Sequence, residues 1–370
     1  MISKIALLQA ILNAYRIPGI VESESIVDNT IVYKVLRQPD KGNTSLSKYA
    51  IEIARQLGVD RVTIKKLEEF NTYGIVAPYR HIATVEIDEI LGSPGFTGSD
   101  SRLPFAVGKD AHGDTIIGDL ASMPHLLVGG GTDFGRGVFL DSIIISLLRK
   151  FSPAYVKLLL ISPCSNAFSS YSDSNHLYQP VITGVRDAVS ALDSLSEVVE
   201  KRYATFGVLS EFLNDVVKRN RNIRGRYDNG VVDTIQMYNA AGSDNDMARM
   251  AYVAVIIDEF SDLMRFERLS VERAIAKLGT KARAAGVHLV LATSSTESAV
   301  ITDTIKTYCP SRVAFKTADA EGSRTVLDRS GAEGLLGGGD MLYQPIGAPY
   351  PYRVQGAYIS TEAVSRAVGA

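Results

Sequence analysis

Cysteine and histidine are scarce in this sequence, and their scarcity argues against two classes of protein. The 370 residues include two cysteines, Cys164 and Cys309, which are too few for a disulfide framework and are not spaced as metal ligands. The five histidines are scattered without ligand spacing, so we expect no zinc site. This composition suits a reducing compartment, and we predict a cytoplasmic location.

Long apolar runs and an excess of one charge are also absent. No stretch approaches the roughly 18 consecutive apolar residues of a membrane span, and the N-terminus lacks the layout of a signal peptide. We therefore expect no membrane segment in this sequence. The formal net charge of −2 gives no whole-molecule attraction to nucleic acid, so any DNA-binding surface has to be local.

The sequence does contain enough apolar residues, 46%, for one large α/β domain and a smaller one. The Ser-Pro-Gly turn at residues 93–95 is the best boundary, so we predict a small α+β domain over residues 1–92 and a larger domain over residues 93–370. The small domain has the character of a packing or oligomerisation module. Its predicted helices cover residues 5–15 and 45–57, and its predicted strands cover residues 31–36, 61–70 and 73–78.

The larger domain contains a glycine-rich stretch of the kind that binds phosphate. An apolar strand at residues 126–128 leads into a turn and then into a helical pattern over residues 138–150, and such a turn cradles phosphates with its N–H groups. In the pattern G-x-x-x-x-G-K-[ST], Arg136 stands at the lysine position and Gly137 at the position of the hydroxyl that binds Mg²⁺. The predicted nucleotide-binding residues are Gly130, Gly131, Thr132, Gly135, Arg136 and Gly137.

A second stretch carries paired acids. The apolar run at residues 252–257 ends in Asp258 and Glu259, and ligands bind at the carboxyl ends of parallel strands. In P-loop NTPases this position supplies an aspartate to Mg²⁺ and a glutamate to the attacking water. We therefore predict Asp258 as the magnesium ligand and Glu259 as the catalytic base, with ATP and Mg²⁺ as cofactors if the site still binds them.

The remaining patterns favour a mainly parallel sheet. A strand at residues 126–128, a helix and a strand at residues 156–161 alternate as in a parallel sheet with right-handed crossovers. Residues 218–226 are the most basic segment, which suits binding of phosphates or of an acidic neighbour, or else a solvated helix end or a mobile loop. Residues 230–246 are a polar insertion whose function the sequence does not indicate. The other predicted elements are a hairpin (105–108 and 115–118), helices at 185–206 and 300–308, a strand at 287–293 and a final core strand at 313–315.

Several long strings together resemble the motor domain of the FtsK/SpoIIIE DNA translocases. The resemblance runs from about residue 100 to 355, and the small domain is similar to the α domain that precedes the RecA-like domain of that family. It implies a RecA-like P-loop fold and a ring, usually a hexamer, that grips double-stranded DNA and moves along it using ATP. The similar strings are VGKD (107–110), PHLLV (124–128), IDEFSDLM (257–264), KARAAGVHLVLAT (281–293), SRTVLD (323–328) and GDMLY (339–343).

The resemblance also implies roles for basic residues. Arg324 and Arg283 are candidates for a finger that reaches the γ-phosphate of a neighbouring subunit, and an ion pair within the chain is the alternative for each. Arg324 joins Glu259 as a candidate catalytic residue. The pore loops of the family correspond to the neighbourhoods of residues 281–283 and 296–306, so the candidate DNA contacts are Lys281, Arg283 and Lys306.

Departures from the family pattern cluster where ATP chemistry belongs. Besides Arg136 and Gly137, Asp133 and Phe134 stand where the family has glycine and serine, and Asp133 has the option of pairing with Arg136. The planar guanidinium of arginine does not replace the compact ammonium of lysine. Further departures are Ser294 and Ser295 in place of glutamine and arginine, and Ser162 and Cys164 in place of aspartate and lysine. The pattern is typical of a degenerate Walker A motif in a pseudo-ATPase.

Three hypotheses follow. The first is a ring-forming homologue with impaired hydrolysis, in a homo-oligomeric ring or a mixed ring with an active paralogue. The second is an active DNA translocase in which Arg136 does the work of lysine and Thr132 or water completes the Mg²⁺ shell. The third is a passive clamp on double-stranded DNA. We expect neither the membrane anchor nor the winged-helix module of the family in this sequence.

Overall fold

The computed structural model describes residues 4–15, 17–27, 30–36, 46–57, 62–67, 72–78, 84–110, 112–131, 134–163, 165–219, 231–243 and 247–369. The chain forms two compact units, Met1–Ala83 and Thr84–Ala370. Residues 84–92, which the sequence boundary assigns to the small domain, therefore belong to the second unit. None of the helices in these ranges has the length and apolarity needed to cross a membrane.

The first unit is a small antiparallel α+β fold. Its sheet has the order β1-β2-β4-β3, and its core includes Leu8, Val35 and Ile75. The sequence missed β1 because four exposed polar residues interrupt its apolar pattern at positions 22–25. The elements are α1 (Lys4–Ala14), β1 (Ile20–Val27), β2 (Thr30–Leu36), α2 (Ala50–Leu57, after a 3₁₀ turn at Leu46–Tyr49), β3 (Thr63–Lys66) and β4 (Thr72–Pro78).

The second unit is an α/β fold around a nine-stranded sheet. Its strands are β5 (Pro104–Lys109), β6 (Thr115–Asp119), β7 (Leu126–Gly129), β8 (Val156–Ile161), β9 (Tyr252–Ile257), β10 (Val287–Thr293), β11 (Ser311–Ala314), β12 (Asp340–Gln344) and β13 (Tyr352–Gly356). Its helices are α3 (Ile87–Leu91), α4 (Pro94–Thr97), α5 (Arg136–Lys150), α6 (Val185–Arg219), α7 (Ile235–Ser243), α8 (Phe260–Lys281), α9 (Asp303–Tyr308), α10 (Ala320–Leu327) and α11 (Thr361–Val368).

The strand order is β6-β5-β13-β12-β11-β7-β10-β9-β8. The strands from β11 to β8 pair in parallel, and the remaining neighbours pair antiparallel. The predicted fold class, α/β with a P-loop sheet preceded by a small α+β domain, is confirmed. The expectation that β11 is the last core strand is wrong, because β12 and β13 extend the sheet beyond it.

Both faces of the parallel strands are buried, which explains their nearly continuous apolar sequences. Leu126 and Val128 of β7 point into a core that includes residues of α5 and α11, while Leu127 points into a core that includes residues of α6 and α8. Helices thus cover the two faces of the sheet. This arrangement leaves the carboxyl ends of β7, β9 and β10 together at one edge, where the acids and the glycine-rich turn lie.

Three sequence predictions about the helical regions need correction. The polar insertion at residues 230–246 contains α7, whose Ile235 and Tyr238 are buried in the core. The helix predicted at residues 300–308 begins later, at Asp303, where the Thr302 side chain accepts a hydrogen bond from the Ile305 N–H and caps it. Helix α6 runs past its predicted end to Arg219, and residues 220–226 of the basic segment lie outside the described residues.

Candidate nucleotide site

The glycine-rich turn joins the end of β7 to the start of α5. Gly130 and Gly135 have φ values of 131° and 108°, a region that favours glycine. A Cβ atom on Gly135 would lie 2.8 Å from the Cα atom of Gly339, so no side chain fits there without movement. The Phe134 carbonyl accepts a hydrogen bond from the Gly339 N–H at 3.0 Å. The turn is therefore held against the loop that precedes β12.

Arg136, the first residue of α5, points its side chain at the paired acids. The residue is only 5% exposed. Its Nη2 lies 2.9 Å from Glu259 Oε2 and 3.3 Å from Asp258 Oδ1. The Asp258 contact lacks hydrogen-bond geometry, since Oδ1 has no hydrogen-bond partner among the described residues. Arg136 thus forms a buried ion pair with Glu259 and lies within ion-pair distance of Asp258.

Glu259 is fixed by a network that involves the end of β10. Its Oε1 accepts hydrogen bonds from Ser261 Oγ at 2.5 Å, Thr293 Oγ1 at 3.0 Å and the Ser294 N–H at 2.9 Å. The residue has a φ of 54°, a strained conformation for a side chain other than glycine. Strain of this kind persists only where the surroundings hold it in place.

The two acids differ in their pKa values. Burial raises the pKa of Asp258, and the Arg136 charge offsets only part of that effect. Burial also raises the pKa of Glu259, but hydrogen bonds from Ser261 and Ser294 and the charge of Arg136 outweigh it, so the pKa lies below its usual value. The pKa values of the two neighbouring acids are therefore shifted in opposite directions, upward for Asp258 and downward for Glu259.

Phe134 packs on the glycine-rich turn itself. A Cβ atom placed on Gly131 would be 2.7 Å from the Phe134 ring, and one placed on Gly337 would be 2.8 Å from it, so the ring fits between two glycines. The Gly131 N–H donates to the Lys316 carbonyl at 3.1 Å, and the Gly130 N–H donates to the Thr293 carbonyl at 3.2 Å. These two N–H groups are therefore committed to the protein.

Gly137 follows Arg136 in the first turn of α5. It is exposed, and a Cβ atom there would meet no atom within 4 Å. The N–H groups of a first helical turn lack partners within the helix, so they remain available to an anion. Thr132 and Asp133, which the sequence predicts as a ligand and as a partner of Arg136, lie outside the described residues.

Sequence reasoning missed a third acid near this site. Asp141, one turn further along α5, accepts a hydrogen bond from the Tyr171 hydroxyl at 2.8 Å. Burial raises the pKa of Asp141 to about 6, and the negative charge of Asp258 adds to the rise. The signal was visible: Asp141 is the one acid in a helix whose neighbouring positions are apolar or small.

Among the described residues, none of the other predicted basic residues forms an ion pair with Asp258 or Glu259. Arg324, on α10, and Arg283 are exposed, and no ion pair among the described residues includes either one. Lys281 Nζ pairs with Glu200 at 2.8 Å, and Lys306 Nζ pairs with Asp328 at 2.5 Å. Ser294 uses its N–H for Glu259, and the Ser162 and Ser165 hydroxyls lie 2.5 Å apart. Cys164 lies outside the described ranges.

Comparison with solved structures shows the fold. A structure of the pCW3 conjugation coupling protein TcpA, in its monomer form with ATPγS, matches with a TM-score of 0.65 at 17% identity and covers 99% of this chain and 98% of that one. The cytoplasmic domain of the type VII secretion ATPase EccC of Thermomonospora curvata matches with a TM-score of 0.60 at 21% identity, covering 77% of this chain and 34% of that one.

Comparison of sequences shows the family. The DNA translocase FtsK of Pseudomonas aeruginosa is 35% identical over 356 residues, which is 95% of this chain and 44% of that protein. The DNA translocase FtsK of Clostridium acetobutylicum is 40% identical over 320 residues, 86% of this chain and 39% of that protein. The chain thus spans less than half the length of these two relatives. The family model described as FtsK/SpoIIIE matches residues 86–300, and the chain therefore belongs to the FtsK/SpoIIIE family.

Proposed function

We propose that this chain is an FtsK-like, ring-forming protein that acts on double-stranded DNA and hydrolyses ATP weakly or not at all. It serves as a structural or regulatory subunit, in a ring of its own copies or beside an active paralogue. One observation carries the proposal: the Arg136 guanidinium is buried against both Asp258 and Glu259. The family membership and the FtsK relatives support the DNA part of it.

A working site of this type needs both acids free. One carboxylate has to hold Mg²⁺ and the other has to position the attacking water. Here Arg136 contributes the positive charge at that place, and Glu259 has its Oε1 occupied by three donors. Mg²⁺ would have to displace a buried guanidinium that is ion-paired with the two acids. The residues present therefore do not fit the Mg²⁺–ATP group in its usual mode.

The nucleotide side of the site lacks two contacts as well. Arg136 is turned toward the acids and away from the lysine role, and Gly137 supplies no oxygen for Mg²⁺. Each lost hydrogen bond to a charged group costs roughly 1.5–3 kcal/mol. Two such losses turn a micromolar affinity into a roughly millimolar one, since every 1.4 kcal/mol is about a factor of ten.

The alternative is an active translocase with an atypical turn. It is favoured by the paired acids of the strand end, where Asp258 and Glu259 follow β9, and by the open first turn of α5 at Gly137. On that hypothesis a bound nucleotide draws Arg136 out of its contacts with the acids. The passive clamp has weaker support, because Lys281 and Lys306 are each paired with an acid.

Calorimetry of the chain with ATP and Mg²⁺ tests the proposal. We expect binding at roughly millimolar strength or weaker, and a gain of about a hundredfold or more in the variant Arg136→Lys/Gly137→Ser/Asp133→Gly. Turnover is measured beside it with double-stranded DNA present. ATP turnover at tens per second that stops in Glu259→Gln would falsify the proposal and establish the active translocase.

A further inference from the structure

A groove of about 680 Å³ runs between α6 and α8. Its two walls have opposite charge. Three acids on α6, which we name the acidic stripe, face three bases on α8, which we name the basic stripe. The acidic stripe is Asp193, Glu197 and Glu200, and the basic stripe is Arg273, Lys277 and Lys281.

Helical periodicity explains why the stripes lie at the groove. The acids are spaced four and three residues apart and the bases four and four, so each set lies along one side of its helix. Both stripes are exposed, while apolar neighbours on the same helices, among them Val199 and Leu278, are buried in the seam between them. The stripes therefore flank a packed helix pair and stay open to solvent.

The groove is closed at one end by a single ion pair. Lys281 Nζ lies 2.8 Å from Glu200 Oε1 and 3.1 Å from Oε2. The Tyr203 hydroxyl donates to the Lys281 carbonyl at 3.1 Å, and the ammonium lies 5.8 Å from the centre of the Tyr203 ring. No ion pair among the described residues includes Arg273 or Lys277.

Arg202 fixes the turn that follows Lys281. Its Nη1 donates to the Ala285 carbonyl at 2.6 Å and its Nη2 to the Ala251 carbonyl at 2.8 Å. One turn of α6 therefore holds the backbone of residues 281–285 through the hydrogen bonds of Arg202 and Tyr203. The same turn also places Glu200 in an ion pair with the Lys281 ammonium. The backbone anchors and the charge contact are separate groups, so each can be changed alone.

We propose that the acidic stripe is a built-in competitor for double-stranded DNA on the basic stripe. The Glu200 carboxylate holds Lys281 in an ion pair and so keeps it from the phosphate backbone, and Asp193 and Glu197 repel phosphates from Arg273 and Lys277. This inference rests on the DNA part of the proposed function. The chemistry is an exchange of anions, because a phosphate oxygen takes the place of a Glu200 oxygen on the same ammonium group.

Salt dependence of DNA binding measures this exchange. Each phosphate that a lysine or arginine neutralises adds about 0.9 to the negative slope of log K against log salt concentration. Neutralising Glu200 with Glu200→Gln frees Lys281, so we expect the slope to steepen by about 0.9. The triple variant Asp193→Asn/Glu197→Gln/Glu200→Gln should steepen it by up to about 2.7, one increment for each base.

Two controls separate the groove from net charge and from general disturbance. Glu211→Gln makes the same charge change at an exposed position of α6 that does not line the groove, and it should leave the slope unchanged. Lys281→Gln placed on Glu200→Gln should return the slope to the wild-type value. A purely structural ion pair would not change the slope in any of these variants.

Acetylation of Lys281, followed by mass spectrometry without DNA, gives an independent measure. Because Glu200 raises the pKa of Lys281, Glu200→Gln should speed its acetylation. Equal salt slopes in wild type and the triple variant, or equal acetylation rates, overturn the inference. If wild type binds DNA and the slopes are equal, the inference fails alone. If only the acid-neutralised variants bind DNA, the inference is supported and the proposal that the unmodified chain binds DNA is refuted. If no variant binds DNA, the inference and the proposed DNA binding are both refuted.

Discussion

Replacing Arg136 by alanine removes the cation that two buried acids share, and the cost follows from the distances. At an effective dielectric constant of about 20, unit charges at 2.9 and 3.3 Å attract by about 5–6 kcal/mol each. Desolvation of the three groups opposes this attraction, and breaking a buried pair from one side typically costs about 3–5 kcal/mol. We therefore expect Arg136→Ala to lower the local stability around β7 and α5 by that amount.

Hydrogen exchange read by mass spectrometry measures this loss locally. Peptides that cover residues 126–150 should exchange roughly 100- to 4,000-fold faster in the variant, since about 1.4 kcal/mol corresponds to a factor of ten. Peptides from the first unit serve as an internal reference and should not change. Arg366→Ala is a matched control, because Arg366 forms an exposed pair with Asp88 at 2.9 Å, and such pairs contribute about 0–1 kcal/mol.

The loss should also depend on pH. Arg136 helps to hold the pKa of Glu259 below its usual value of 4.5, so its contribution is fully present above that pH and fades as the pH falls through the pKa of the folded state. The difference between wild type and Arg136→Ala should therefore be larger at pH 7 than at pH 4. A loss below 1 kcal/mol at pH 7, or one that grows on acidification, would refute the reasoning.

Two further predictions concern α5 and its turn. Asp141→Asn should stabilise the protein at pH 7 by up to about 3 kcal/mol in thermal unfolding, because the pKa of Asp141 is raised to about 6 and folding disfavours its ionised form from about pH 4 upward. The amide oxygen still accepts the Tyr171 hydrogen bond, and the gain should vanish below pH 4. A gain that is independent of pH would contradict this account. Gly135→Ala should destabilise the protein by about 1–3 kcal/mol, because Gly135 has a positive φ and lies close to the Gly339 backbone. Gly137→Ala should be neutral or slightly stabilising. Equal effects of the two variants in urea unfolding would count against the described turn.

The buried parallel strands could be predicted from the sequence because each is visible as a short apolar run within its own segment. Residues 252–257 and 287–293 are continuous apolar runs, and burial on both faces permits no other pattern. Strands that have polar residues on one face were harder to predict from the sequence. The exposed polar centre of β1 concealed its alternation, and β12 and β13 begin with Asp340 and Tyr352, which do not resemble a core strand.

The candidate site shows the limit of sequence reasoning more clearly. The substitution of Arg136 for lysine and the two acids were visible in the sequence, but their contact was not, because spacing along the chain carries no distance between side chains. Proximity along the chain suggested Asp133, which lies outside the described residues, as a partner of Arg136. The structure brings Glu259 to Arg136 through β9. Asp141 was overlooked because no pattern pairs it with Tyr171, which lies in a separate 3₁₀ turn.

The antiparallel part of the large sheet has a mechanical consequence. Strands β5 and β13 come from opposite ends of the second unit and pair side by side, and the backbone of Tyr358 forms hydrogen bonds with Val85 and Ile87. The first and last segments of the unit are thus bonded to each other. A force applied to either end of the second unit acts on these hydrogen bonds before it acts on β7. The glycine-rich turn is therefore protected from such a force.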